Sequence, residues 1–191
     1  MRLFKPDQQL KHPVADGGNR RGLGVGELGR ALERSGLAPV EVVSLEACYG
    51  SALEVAWALR GATRHMVASP AAVYSPGLPW ASVIPRMREL PDGQALGSSL
   101  CSAHTGPLVC LNLERMGAVQ AALERFADSM LGDMAAHSAG LRLARSRTRS
   151  WGYKDELCDA GQLAGLLSTH AAGVEAAEAA GALRAALEGV A

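Results

Sequence analysis

Aromatic side chains are scarce, at 4% of the 191 residues, so leucine, alanine and valine must fill the interior. Charge of one sign is lacking as well. Lysine plus arginine number 19, aspartate plus glutamate number 19, and the formal net charge is zero. No nucleic-acid or membrane partner is expected of a surface with no excess of positive charge. Long apolar runs are missing: the most apolar stretch, Val40 to Leu59, is interrupted by Glu41, Glu46 and Glu54, whereas a membrane-spanning helix needs about 20 mostly apolar residues. Met1 to Leu10 carries Lys5, Pro6 and Asp7 and no apolar core, so no secretory signal is read there and a cytoplasmic location is expected. The four cysteines, Cys48, Cys101, Cys110 and Cys158, show no CxxC and no paired Cys/His spacing. That pattern predicts reduced thiols, no zinc site and no cofactor.

What is present has the size and patterning of one α/β domain. Hydrophobic residues make up 48% of the chain, ordinary for a soluble globular protein. Asp16-Gly17-Gly18-Asn19 is a strong turn signal within an irregular N-terminal segment, residues 1–21. Leu28, Ala31 and Leu32 have helical spacing within a helix expected from Leu23 to Ser35. Val40 to Leu45 and His65 to Ser69 read as short buried strands, with a helix from Ala52 to Arg60 between them. Pro70 to Pro79 reads as a loop, Trp80 to Leu90 as a helix disturbed by Pro85, and Gln94 to Gly106 as loop. Leu108 to Leu113 reads as a third strand. Met116, Val119, Leu123, Phe126, Met130 and Met134 then recur at the period of a packed helix. Further helical signals run from Leu141 to Arg149, Glu156 to Leu167 and Val174 to Val190. Alternating helix and strand in the first half predicts a parallel sheet with crossover helices, followed by a helix-rich second half. Arg142, Arg145, Arg147 and Arg149 read as a solvated helix face.

The sharpest local feature is Val40-Glu41-Val42-Val43-Ser44-Leu45-Glu46-Ala47-Cys48-Tyr49-Gly50-Ser51, a strand running into a tight turn and then a helix. In open α/β sheets, ligands and catalytic groups gather at the carboxyl ends of strands. A thiol there stands at the rim, a helix N-terminus nearby favours its thiolate, and backbone N–H groups around Gly50 are placed to hold an oxyanion. The plain alternative is a small buried thiol at a strand end, since free cysteine is among the most buried residue types. For Glu46 the plain alternative is a capping or solvated carboxylate.

Leu45-Glu46-Ala47-Cys48-Tyr49-Gly50-Ser51-Ala52-Leu53-Glu54-Val55-Ala56 resembles the nucleophile segment of clostripain-family cysteine peptidases. Their nucleophile strand ends in Asp-Ala-Cys, followed by glycine and a Leu-Glu-Val helix. His65-Met66-Val67-Ala68-Ser69 with Pro76-Gly77 and Trp80 resembles that family's next strand and loop. Glu27-Leu28 with Ala31-Leu32 resembles its preceding helix. Leu111-Asn112-Leu113 and Gly152-Tyr153-Lys154-Asp155-Glu156-Leu157 resemble its C-terminal half. The resemblance implies a caspase-like fold, a mostly parallel sheet flanked by helices. It also implies peptide-bond hydrolysis by a cysteine–histidine dyad with Cys48 as nucleophile, acting on a peptide or protein substrate. An acidic residue two before the nucleophile helps that family bind arginine or lysine before the scissile bond; here it is Glu46. Some members bind calcium, but no acidic cluster in this sequence invites that assignment.

The family's histidine lies in a His-Gly turn, and this sequence has no His-Gly. Either His12 is the dyad histidine, or Asp16-Gly17-Gly18-Asn19 aligns with that turn and Asp16 stands in the histidine's place. Aspartate is a poor proton acceptor at neutral pH, so the second alignment implies an inactive or badly impaired enzyme, with a catalytically inactive binding domain as the alternative. His65 is expected to point into packing, and His104, His137 and His170 to be satisfied or solvent-facing. Arg20 and Arg21 lie where some family members cleave themselves. Family members also carry strands and helices ahead of the histidine strand, for which the segment before Gly22 is too short. The chain is therefore expected to form a single partial domain over 1–191, with an open sheet edge that an upstream subunit would complete.

Overall fold

In a computed structural model of the protein, residues 23–73, 77–151 and 157–191 are described. They form two compact units, one ending at Glu114 and the other beginning at Arg115.

The first unit opens with α1 (Val25–Arg34), where Glu27 reaches back to accept the Gly24 N–H at 2.8 Å. This satisfies one of the donors that every helix start leaves open. β1 (Val40–Leu45), α2 (Leu53–Leu59) and β2 (Thr63–Ala68) follow as one parallel crossover unit, in register from Val40 opposite Thr63 to Leu45 opposite Ala68. Met66, Val67 and Ala68 are all fully buried. Successive strand residues face opposite sides, so β2 is covered on both faces and forms the middle of the sheet. Its chain order, β1-β2-β3, agrees.

Beyond β2 the sheet departs from the parallel expectation. β3 (Val109–Asn112) runs antiparallel to β2, with Ala68 opposite Val109 and His65 opposite Asn112. The cause is a helix where the sequence reads as loop. α3 (Trp80–Val83) continues into a 3-10 turn, Ile84–Glu89, begun around Pro85, and then α4 (Gly93–Ala103) forms. Gly93 lies against His65 and the Glu41 carbonyl, whereas Gly97 lies against Cys110 and Val67. α4 therefore climbs toward the carboxyl ends of β1 and β2, and the chain re-enters the sheet from that end. Two helical segments between strands, in place of one, reverse the third strand. The carboxyl ends of β1 and β2 and the amino end of β3 thus share one edge.

Val67, Val83 and Leu100 form a core cluster under α4, joined by Val42, Trp80 and Cys110. All four cysteines are free thiols. Burial pushes the Cys101 thiol up, and burial together with neighbouring Cys101 pushes Cys110 up to about 11. Arg64 of β2 pairs with Glu41 of β1 at 3.1 Å and also with Glu114.

The second unit is helical: α5 (Met116–Gly132), α6 (Met134–Arg147), α7 (Ala160–His170) and α8 (Val174–Glu188), with a short antiparallel pair of β4 (Ser150–Trp151) and β5 (Leu157–Cys158). Asp133 and Asp159 cap α6 and α7, accepting from Ala136 N at 3.0 Å and Gln162 N at 2.8 Å. Ala144, Leu167 and Ala180 centre the core. The expected stripe on α5 holds at Met116, Val119 and Met130, but Leu123 is 44% exposed and Ala122 is buried in its neighbourhood. Met134 is exposed as well, because the chain breaks at Asp133 and Met134 starts a new helix. Arg142, Arg147 and Arg149 are exposed as expected, while Arg145 turns in to donate to Ser150 Oγ at 2.7 Å. Among the described residues no helix is long and apolar enough to cross a membrane.

Candidate active site

β1 ends at the buried Leu45, and the chain turns through Glu46 to Ala52 before α2. The turn is fastened to the segment after β2: the Tyr49 N–H donates to Ala71 O at 3.0 Å and the Ser51 N–H to Ser69 O at 3.1 Å. Tyr49 is held at φ 58°, the left-handed region that non-glycine residues seldom occupy. The hydrogen bonds on both sides of it impose this conformation. As a result Cys48 stands exposed at the carboxyl end of the strand, not buried as a packing thiol. The Val73 backbone meets its sulfur, with the Val73 N–H donating to Sγ at 3.3 Å.

Gly50 does not fulfil the oxyanion expectation. It is buried, and its N–H closes the turn onto Ala47 O at 3.3 Å.

Glu46 is neither a cap nor a freely solvated carboxylate. Oε1 accepts the Trp80 indole N–H at 2.6 Å, and Oε2 accepts the Leu78 N–H at 3.2 Å. Gly77 sits at φ +80°, and a Cβ there would overlap Oε2. The side chain is thus bolted to the 77–80 segment by two donors and a close glycine. Among the described residues no lysine or arginine pairs with it, and each oxygen keeps a lone pair free. Sequence reasoning marked Glu46 and Trp80 separately; their contact spans 34 positions and has no local signal.

The histidines separate clearly. His12, Asp16, Arg20 and Arg21 lie outside the described residues. His65 is buried as expected, its Nδ1 3.3 Å from Glu41 O. His104 is half-buried in the α4–β3 connection, its Nδ1 at 2.9 Å from the Gly106 N. His137, in the helical unit, departs from expectation: it is buried and, among the described residues, its Nδ1 has no hydrogen-bond partner. Among the described residues no three histidine, cysteine, aspartate or glutamate side chains converge as a metal site would require.

An exposed strand-end thiol, an acidic residue two positions before it and a tight turn through Gly50 agree with the family comparison. The model of the clostripain family, peptidase C11, matches residues 5–143, most of the chain. The chain belongs to the clostripain family. Solved structures agree in fold. A clostripain from Bacteroides thetaiotaomicron ATCC 29148, bound to a peptide inhibitor, is 17% identical, with a TM-score of 0.65 over 92% of this chain and 78% of that one. A secreted C11 cysteine protease from Bacteroides thetaiotaomicron is also 17% identical, with a TM-score of 0.68 over 94% of this chain but 51% of its own. An inactive zymogen C11 protease from Parabacteroides distasonis is 16% identical, with a TM-score of 0.59 over 87% of this chain and 46% of its own. This chain therefore spans about half the length of the last two clostripain relatives. A search of curated proteins by sequence finds no match. The α/β, caspase-like class expected for the clostripain family is the one found.

Proposed function

We propose that this chain is a cysteine endopeptidase domain that cleaves after arginine or lysine. The observation that carries the reading is the exposed Cys48 thiol at the end of β1, with the Glu46 carboxylate fixed two residues before it. In this reading His12 takes the thiol proton and the Cys48 sulfur attacks the scissile carbonyl carbon. The C–N bond breaks as the proton passes to the leaving amine, and water then hydrolyses the thioester, freeing the acid and restoring the thiol. The free lone pairs of Glu46 meet the substrate's cationic side chain. Its anchoring to Trp80 and Leu78 lowers the cost of ordering the carboxylate when that cation arrives.

The test is hydrolysis of arginyl and lysyl fluorogenic peptides by purified protein, beside Cys48→Ala and His12→Ala. Activity lost in both variants supports the dyad. A folded but inert wild type removes the stand-alone enzyme.

A second reading rests on the outer edge of β1. Among the described residues β1 pairs with one strand, β2, and an unpaired edge is a template for another strand. An upstream subunit adding a strand there, and with it a histidine, would make this chain one half of a two-chain peptidase. Peptide cleavage that appears only on mixing with such a polypeptide supports it. Peptide binding without cleavage under either condition supports a catalytically inactive binding domain.

A further inference from the structure

Beside the thiol lies a cleft of about 570 Å³, walled by the segment after β2 (Ser69 and 71–73), by residues 77–79 and by residues 103–107 before β3. That volume suits a ligand site, which typically spans about 300–1,000 Å³. Val73 belongs to both places: its backbone meets the Cys48 sulfur, and the residue forms part of the cleft wall. Leu78 links the cleft to Glu46 in the same way, since its N–H donates to the carboxylate.

The lining has a distinct chemistry. Among the described residues none of the lining side chains carries a fixed charge. Ser69 Oγ is already engaged, accepting the Ala71 N–H at 3.1 Å. His104 has its Nδ1 occupied by Gly106. What remains is mainly alanine, valine, leucine and proline surface. A charged side chain entering here would give up water and meet no opposite charge, with only the Thr105 hydroxyl and His104 Nε2 as polar neighbours, whereas an aliphatic or aromatic one would gain by burial.

Resting on the peptidase reading above, we propose that this cleft is a subsite for an uncharged, apolar side chain of the bound peptide, adjacent to the residue held at Cys48. The protein then reads two features of its substrate: a cationic side chain at Glu46 and an apolar neighbour in the cleft.

The experiment measures binding of labelled peptides to full-length Cys48→Ala protein by fluorescence anisotropy. Each peptide has a fixed arginine and carries leucine, phenylalanine, glycine or aspartate at each flanking position in turn. At one flanking position leucine and phenylalanine are expected to bind at least about tenfold more tightly than glycine or aspartate. Ala72→Trp, which fills the cleft, is expected to shrink that ratio below about twofold. Ala103→Trp, from an exposed position at the end of α4, serves the same purpose if Ala72→Trp does not fold. Equal binding across the series, a preference for aspartate, absence of binding, or a preference that survives the filled cleft overturns the proposal. Hydrolysis by the unmutated protein is scored separately. Apolar-selective binding without cleavage keeps the subsite and removes the peptidase. Cleavage with no flanking preference keeps the peptidase and removes the subsite.

Discussion

The two units solve packing in different ways. The first is built around large side chains on a sheet, with Leu59, Met66, Val67 and Leu100 essentially inaccessible, and it also buries Thr63, His65 and Ser69. The second intersperses large side chains such as Met116, Val119 and Leu167 with many small ones: Ala122, Ala144, Ala164, Ala176 and Ala180 are all buried. There the closest approach is backbone to backbone, since a Cβ at Gly140 would overlap the His170 carbonyl. A sheet leaves loops at the ends of its strands, where side chains are held yet exposed. Helices packed through alanine leave little at their ends but caps. The candidate chemistry accordingly lies in the first unit.

Core truncation tests this contrast most strongly. Leu59→Ala is expected to destabilise the first unit by about 3 kcal/mol, the sum of lost burial and a cavity. Ala180→Gly in α8 should cost about 1 kcal/mol, mostly helix propensity. Urea unfolding followed by Trp57 and Trp80 in one unit and Trp151 in the other measures both; equal losses would erase the distinction. Next in size is Gly97→Ala, where the new methyl meets Cys110 Sγ and Val67. It is expected to cost about 2 kcal/mol by overpacking, and a neutral result would mean that α4 is not seated on the sheet.

Cys110 supplies a pH test confined to the first unit. Its folded pKa, about 11, lies above the ordinary thiol value of 9.0, so the folded state holds the proton more tightly. The stabilisation is complete below the unfolded pKa and is lost as pH rises from about 9 through about 11. The urea midpoint of the first unit should fall across that window, and Cys110→Ala should flatten the fall. The smallest expected effect is Trp80→Phe, which keeps an aromatic ring, though a smaller one, and removes the indole donor to Glu46. A loss near 1 kcal/mol, with a raised KM for arginyl peptides and little change in kcat, would mark Trp80 as a positioning residue; unchanged KM would mean that the contact is ornamental.

Much of the first unit was legible because its signals are local. Val40–Leu45 is β-branched and short, and it is a strand over that span. Pro85 announced the break between α3 and the 3-10 turn. α4 was missed because its composition points the other way: two glycines and several small polar residues between Gly93 and Ala103. Tertiary context overrides that weak propensity. Asp92 caps the helix by accepting the Ala95 N–H at 2.8 Å, and the glycines that weaken it in isolation let it approach the strands. That one omission also inverted the direction expected for β3. At the candidate site, Cys48 was marked by the strand–turn–helix pattern around it and Glu46 by the family resemblance. The latch of Glu46 on Trp80, the Val73 contact and the cleft were not, since each joins segments far apart in the chain.

The shared edge of the sheet has a consequence for how this domain can diversify. The turn after β1, the long segment after β2 and the connection into β3 are all rooted at that edge. The first two are tied to each other through Tyr49 and Ala71, Ser51 and Ser69, and Glu46 with Leu78 and Trp80, so they must change together, whereas the connection into β3 can vary while the strand register stays fixed. New specificities on this scaffold should therefore arise by exchange of the 103–107 segment, or of the 69–79 segment together with the turn after β1, with the strands serving as an unchanging chassis.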